Sequence, residues 1–544
     1  MKYSLLILTV FAINISFAQK KKVDLLIYNA TIYTVDKNFS IQSAIAIDKG
    51  KIVETGATAQ LLKKYNATQR KDAEGKFIYP GFIDAHAHFF NYGLGLQTAN
   101  LVGTTSWEEI LNKVQAFAQE HTEGWLIGRG WDQNDWSIKE FPTKEKLDIL
   151  FPDRPVILSR VDGHAAIVNK KALDMAGIQP GQTLSGGQVE MENGALTGIL
   201  VDNAVDLVAS RIPTPSLAHV KQALLSAQQN CFAVGLTTVD DCGIDYGLAL
   251  LIDSLQKSRE LKMRIFAMLS DDTKNYNFLF KNGKIKTDRL NVRAFKVYAD
   301  GALGSRGAAL LKPYSDKPGW SGFLLSSQQH FDSVANIIAR NGFQMCTHAI
   351  GDSGNRTILN IYAKYLKGKN DRRWRIEHAQ VINPSDFHLF GQYNIIPSVQ
   401  PTHATSDMYW AADRLGADRV KGAYAFRQLL NENGWIPLGT DFPVEDISPF
   451  KTFYAAVFRI DANQFPKGGF QMENALTRQQ AIKGMTIWAA RSNFEEKEKG
   501  SLEKGKWADL IILDRDLMRV NAKDVLSTTV LATLVGGETV YSKN

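Results

Sequence analysis

Cysteine is scarce. Cys231, Cys242 and Cys346 are all that 544 residues contain, an odd number and far too few for a disulfide framework, so stability has to come from the core. Cys231 and Cys242 flank a predicted strand, which leaves a bridge between them open, and none of the three has zinc-thiolate spacing. Long apolar runs are missing after the first residues: nothing reaches the roughly 18 residues that a spanning helix needs. Basic runs interleaved with aromatics are missing too, and a net charge of +7 is mild for this length, so nucleic acid is not an expected partner. Residues 1–18 break the pattern. Lys2, an apolar run from Leu5 to Ile15 and then Ser16-Phe17-Ala18 predict a signal peptide cleaved after Ala18 and a mature chain exported to the periplasm or secreted. A buried, uncleaved N-terminal helix is the other reading of that run. No cysteine follows it, so no lipid anchor is expected.

What the chain does have is rhythm. VDLLIYNATIYTV, SAIAIDKGKIVETG and EGKFIYPG near the start, and KWADLIILD and LATLVGGETVYS near the end, alternate in hydropathy and break at Gly-containing turns. They predict a small β-sandwich domain built from both chain ends, residues 19–79 and 497–544. Between them, residues 80–496 predict an α/β fold, a (β/α)8 TIM barrel. Its strands are read at FIDAHAH, VGLTTVDD, MRIFAML, VRAFKVYAD, FQMCTHAI, RWRIEHAQ, NIIPSVQ and IPLGTDFP, with helical runs such as DSVANIIARN and RTILNIYAKYL between them. The rhythm stops for about 140 residues after the first strand, so 95–230 is read as an insertion, which at that end of a barrel covers the active site.

Polar residues collect at the carboxyl ends of these strands. PGFIDAHAH, residues 80–88, puts His86 and His88 on one side of a short buried strand, one layer apart. Lys296 stands on the fourth strand, His348 on the fifth, His378 on the sixth and Asp441 on the eighth, and the chain has only ten histidines. Neutral imidazoles with a carboxylate suit zinc and other borderline divalent metals, manganese and cobalt included. The bland readings are two core or surface histidines that happen to alternate and an ordinary surface or substrate-binding lysine. His121, His219, His330 and His388 fall on predicted helices or connections and are read as solvated.

The PGFIDAHAH run together with this ligand series resembles the amidohydrolase superfamily, and more closely its family 3 branch, which includes N-substituted formamide deformylases. The resemblance covers nearly all of the chain after about residue 22. It implies two divalent metal ions, zinc first among them: one on His86, His88 and Asp441, one on His348 and His378, and a carboxylated Lys296 bridging them. A lysine among cations would otherwise be repelled; burial near cations is expected to depress its pKa and supply the neutral amine that carboxylation needs. The implied reaction is hydrolysis of a non-peptide C–N bond in a small amide, formamide, N-acyl or cyclic compound by a metal-bridging hydroxide, with Asp441 moving the proton. The resemblance also marks His164 in VDGHAAIVN and Asp300 in DGALGSR, and weaker candidates are Trp131 and Asp132 in GRGWDQ, Arg306 for a substrate anion and His403 for the substrate oxygen. Each has a structural role as its alternative. Three other functions stay open: a mononuclear deaminase, which would characteristically lack the bridging lysine; a lactone or phosphoester hydrolase; and a non-catalytic exported protein binding a ligand or metal, which would tolerate alanine at Asp441. The fold often dimerises, so a homodimer is a further expectation, and the substrate itself is not legible.

Overall fold

A computed structural model describes residues 20–543, so the expected signal segment lies outside the described residues. Its centre is a parallel sheet of apolar strands: β1 (Phe82–Ala87), β2 (Leu236–Ile244), β3 (Arg264–Ser270), β4 (Leu290–Tyr298), β5 (Gln344–Ala349), β6 (Arg375–His378) and β7 (Ile396–Ser398), each paired with the next. β1, β5, β6 and β7 are buried at every position, as strands covered on both faces must be. Connecting helices behave as their sequences require. The helix Gln328–Asn341 starts four residues before the run DSVANIIARN because Ser327 caps it, accepting from the His330 N–H, and it ends on Gly342 in the left-handed conformation.

The predicted eighth strand is not a regular strand. Its segment makes one parallel bridge, Val399 to Leu438, yet it hydrogen-bonds on both sides: the Gly439 N–H donates to the Val399 carbonyl (3.0 Å), and on the β1 side the Ala85 N–H donates to the Leu438 carbonyl (3.2 Å) and the Asp441 N–H to the His86 carbonyl (2.7 Å). The barrel is therefore nearly closed. Closure is tight enough that a Cβ on Gly439 would stand 2.6 Å from the His86 nitrogen, which requires glycine there.

Two further sheets surround the barrel. Residues 99–202, between β1 and β2, carry six strands in the order Gly187–Glu192, Ala195–Asp202, Ala165–Val168, Val156–Arg160, Leu126–Trp131, Ala99–Asn100. The other sheet takes strands from both chain ends: Glu538–Ser542, Val530–Val535 and Leu510–Leu513 continue into Phe77–Pro80, Lys21–Tyr33, Ile41–Asp48 and Lys51–Gly56. Arg264, opening β3, ties this sheet to the barrel through two hydrogen bonds to the buried Asp509 carboxylate, 2.7 and 3.0 Å. No bridge joins Cys231 to Cys242. All three cysteines are free and buried, because Cys231 sits on the helix Leu217–Ala233 in the outer core while Cys242 packs inside the barrel with Phe266, Met268 and Cys346.

Candidate metal centre

The carboxyl ends of the barrel strands deliver six side chains to one point. β1 supplies His86, fully buried, and His88 follows just past its end. Asp441, from the closing segment, puts Oδ1 3.5 Å from His86 Nε2 and 3.3 Å from His88 Nε2. Lys296 of β4 brings Nζ to 3.2 Å from His86 Nε2. The rings of His348 (β5) and His378 (β6) lie 4.6 Å apart, and that of His378 is 4.7 Å from His86. His403, on the helix Pro401–Asp407, places Nε2 3.3 Å from Asp441 Oδ2 and Nδ1 3.0 Å from Glu445.

Two triads have their ligand atoms within 4.8 Å of one another: His86, His88 and Asp441, and His378, His403 and Asp441. Asp441 belongs to both. The first is the set expected from sequence; in the second His403 takes the position expected for His348. His348 still faces the centre. Its Nε2, 3.7 Å from Asp300 Oδ1, is buried without a well-formed hydrogen bond, as is Asp441 Oδ1, 3.3 Å from His88 Nε2. Buried polar atoms are almost always partnered, and these two are an imidazole nitrogen and a carboxylate oxygen, the donor types that a borderline divalent metal takes.

Electrostatics favour the ligating forms. Burial, aided by the Lys296 charge, pushes His86 down to about 4. Burial and neighbouring imidazoles or Lys296 hold His348 and His378 well below the ordinary histidine value. All three are neutral at pH 7. Burial alone would raise Asp441, but its hydrogen bonds with His403 and His88 hold its carboxyl well below the usual range. Lys296 departs from expectation. Burial does lower it, yet the phenol of Tyr298, Cys242, Glu377 and Asp441 outweigh burial and raise it above the ordinary lysine value.

Residues 70–541 match the family model described as the amidohydrolase family. The chain belongs to that family. This amidohydrolase is 34% identical to the protein LONG AFTER FAR-RED 3 of Arabidopsis thaliana, covering 95% of this chain and 91% of that one. It is 25% identical to the N-substituted formamide deformylase of Arthrobacter pascens, covering 96% and 98%. Its fold matches the crystal structure of an uncharacterized metal-dependent hydrolase from Pyrococcus horikoshii with a TM-score of 0.75 at 27% identity, over 92% and 99% of the two chains.

Above the amidohydrolase centre opens a cavity of about 1110 Å³. Of the weaker sequence candidates, His164, Asp132 and His403 line it. His164 holds Nδ1 2.5 Å from the Asp202 carboxylate, with its ring 5.1 Å from that of His348; Asp132 is paired with Arg160. Trp131 does not reach the cavity. It is buried in the core of the 99–202 sheet and donates its indole N–H to the Leu158 carbonyl at 2.7 Å. Arg306 does not face it either: a φ of +64° turns it towards Asp316, 2.9 Å away. Asp300 is buried beneath it, accepting N–H bonds from Ala309, Ile350 and Gly351 at 2.8–3.0 Å, which ties the loops after β4 and β5 together. Of the histidines read as solvated, His330 pairs with Asp271 at 2.7 Å and the ring of His121 stacks on Phe117.

Sequence reasoning missed the supporting shell. Glu377 lies 2.6 Å from His86 Nδ1, Gln400 lies 2.7 Å from His378 Nδ1, and Arg129, Tyr298 and Glu445 line the cavity. A carboxylate next to a ligand histidine in RIEHAQ was the available signal, since ligating imidazoles are routinely fixed through their other nitrogen.

Proposed function

We propose that this amidohydrolase cleaves a non-peptide C–N bond of a small amide, formamide, N-acyl or cyclic amide compound. The observation that carries the reading is the meeting of His86, His88, Lys296, His348, His378 and Asp441, with His348 Nε2 and Asp441 Oδ1 buried without a well-formed hydrogen bond. His86, His88 and Asp441 would hold one divalent ion, and His348 and His378 a second; zinc suits this N/O set first. Lys296, carboxylated, would bridge them. Bound metal supplies acidified water at neutral pH and polarises a carbonyl.

The chain's own groups do the rest. Asp441, held ionised, accepts the proton of the attacking water and returns it to the departing nitrogen. Burial works against charge on His403, but its hydrogen bonds to Asp441 and Glu445 raise it well above the ordinary value, and through them it orients Asp441 Oδ2. Glu377 and Gln400 fix His86 and His378 so that each presents Nε2. The relative named as a formamide deformylase supports the choice of bond.

A second reading is a single-metal deaminase with an uncarboxylated ammonium at Lys296. Elemental analysis by inductively coupled plasma mass spectrometry of the native chain and of Lys296→Ala separates the two. Two metals per chain falling to one or fewer supports the bridged centre. One metal in both overturns it and makes deamination the first assay.

A further inference from the structure

The strand Leu126–Trp131 shifts register against Val156–Arg160 between Arg129 and Trp131. Gly130, with φ +115°, makes the shift possible. On a regular strand residues two apart share a face; a bulge separates them. Trp131 accordingly enters the sheet's core, while Arg129 lines the cavity.

The Arg129 guanidinium lies over Gly163, where a Cβ would stand 3.4 Å from both of its terminal nitrogens, and it donates to the Val161 carbonyl at 3.0 Å. Its Nε is buried without a hydrogen-bond partner. The nearby carboxylates are engaged elsewhere: Asp132 and Asp162 hold Arg160, Asp202 holds His164, and Glu445 holds His403. Among the described residues no carboxylate forms an ion pair with Arg129; the charges that act on it are those of Asp162, already held by Arg160, and of Asp441 at the metal centre.

A half-buried, cavity-lining guanidinium that no carboxylate pairs, next to a reaction centre, matches one ligand group best, a planar oxyanion taken by the guanidinium fork. We propose that Arg129 anchors a carboxylate carried on the substrate beyond the scissile C–N bond and thereby selects anionic amides. The inference rests on reading the centre as a C–N hydrolase. The competing class is a cationic substrate, which would use Asp135 and Asp206, cavity carboxylates that form no ion pair among the described residues.

The test is isothermal titration of the metal-loaded full chain with N-formyl and N-acetyl amino acids, their primary amides, and N-acetylated diamines. The expected result is at least tenfold tighter binding of the acids than of their amides, reduced to within twofold in Arg129→Gln at unchanged metal content. Equal binding within the acid–amide pairs, preference for the diamines, no binding of any probe, or a preference that survives in Arg129→Gln overturns the inference. Should that variant fail to fold, the native acid–amide comparison decides alone. Turnover of the same probes keeps the two readings apart: Arg129-dependent binding without C–N cleavage removes the hydrolase reading, and cleavage indifferent to charge removes this one.

Discussion

Glu377 Oε2 stands 2.6 Å from His86 Nδ1, with both side chains fully buried. Burial would raise the carboxyl, but His86 and Arg375 hold it below its ordinary value, so it accepts the Nδ1–H and leaves His86 Nε2 free for a metal. Glu377→Gln is expected to weaken metal affinity about 10- to 100-fold, read as the dissociation constant in a chelator competition, while the far-ultraviolet circular dichroism spectrum stays native. Unchanged affinity would show that Glu377 serves the fold alone.

Asp441→Asn keeps the shape of the side chain and removes its ability to take a proton. Loss of a general base costs about 10²- to 10⁴-fold, so kcat on an accepted amide should fall by at least that factor. Retained kcat would assign the proton transfer to another group.

Asp241 carries a pH signature of the fold. Its side chain accepts the Phe90 N–H at 3.2 Å, and burial pushes its pKa from the ordinary 3.8 to about 7. The folded state keeps a proton that the unfolded chain has released, so stability is lost as pH rises from the ordinary value towards 7. Asp241→Asn should remove that contribution, on the order of a few kcal/mol, and flatten the dependence of the urea midpoint measured at pH 5 and at pH 7.5. Parallel curves for the two proteins would refute it.

The Arg264–Asp509 pair makes a fourth prediction. Asp509→Ala strands a buried guanidinium, a change that costs about 3–5 kcal/mol in comparable pairs, and the denaturation midpoint should fall accordingly. A shift within error would mean that water reaches Arg264 once its partner is gone.

Most of the barrel was legible because its strands are short apolar runs with polar residues at one end, and that pattern alone placed His86, His88, Lys296, His348, His378 and Asp441. What failed to show was backbone departing from regular geometry. Alternation puts Glu377 and His378 on opposite faces, yet a φ of +71° at His378 lets both reach the centre. The bulge at Gly130 exchanged the roles of Arg129 and Trp131, and the positive φ of Arg306 sent it to Asp316. The eighth strand was placed correctly in the chain, but a segment with a single bridge has no regular ladder for a hydropathy pattern to reveal.

The sheet shared by the two chain ends has a temporal meaning. Leu510–Leu513 is the neighbour of Phe77–Pro80, the strand that leads straight into β1 and its histidines. On the ribosome that edge has no partner until Leu510–Leu513 has been made, so the N-terminal layer and the start of the metal centre are completed by a segment far downstream. A nascent polypeptide lacking that piece keeps an unpaired strand edge next to the first ligands, the kind of surface that chaperones bind and that aggregation exploits.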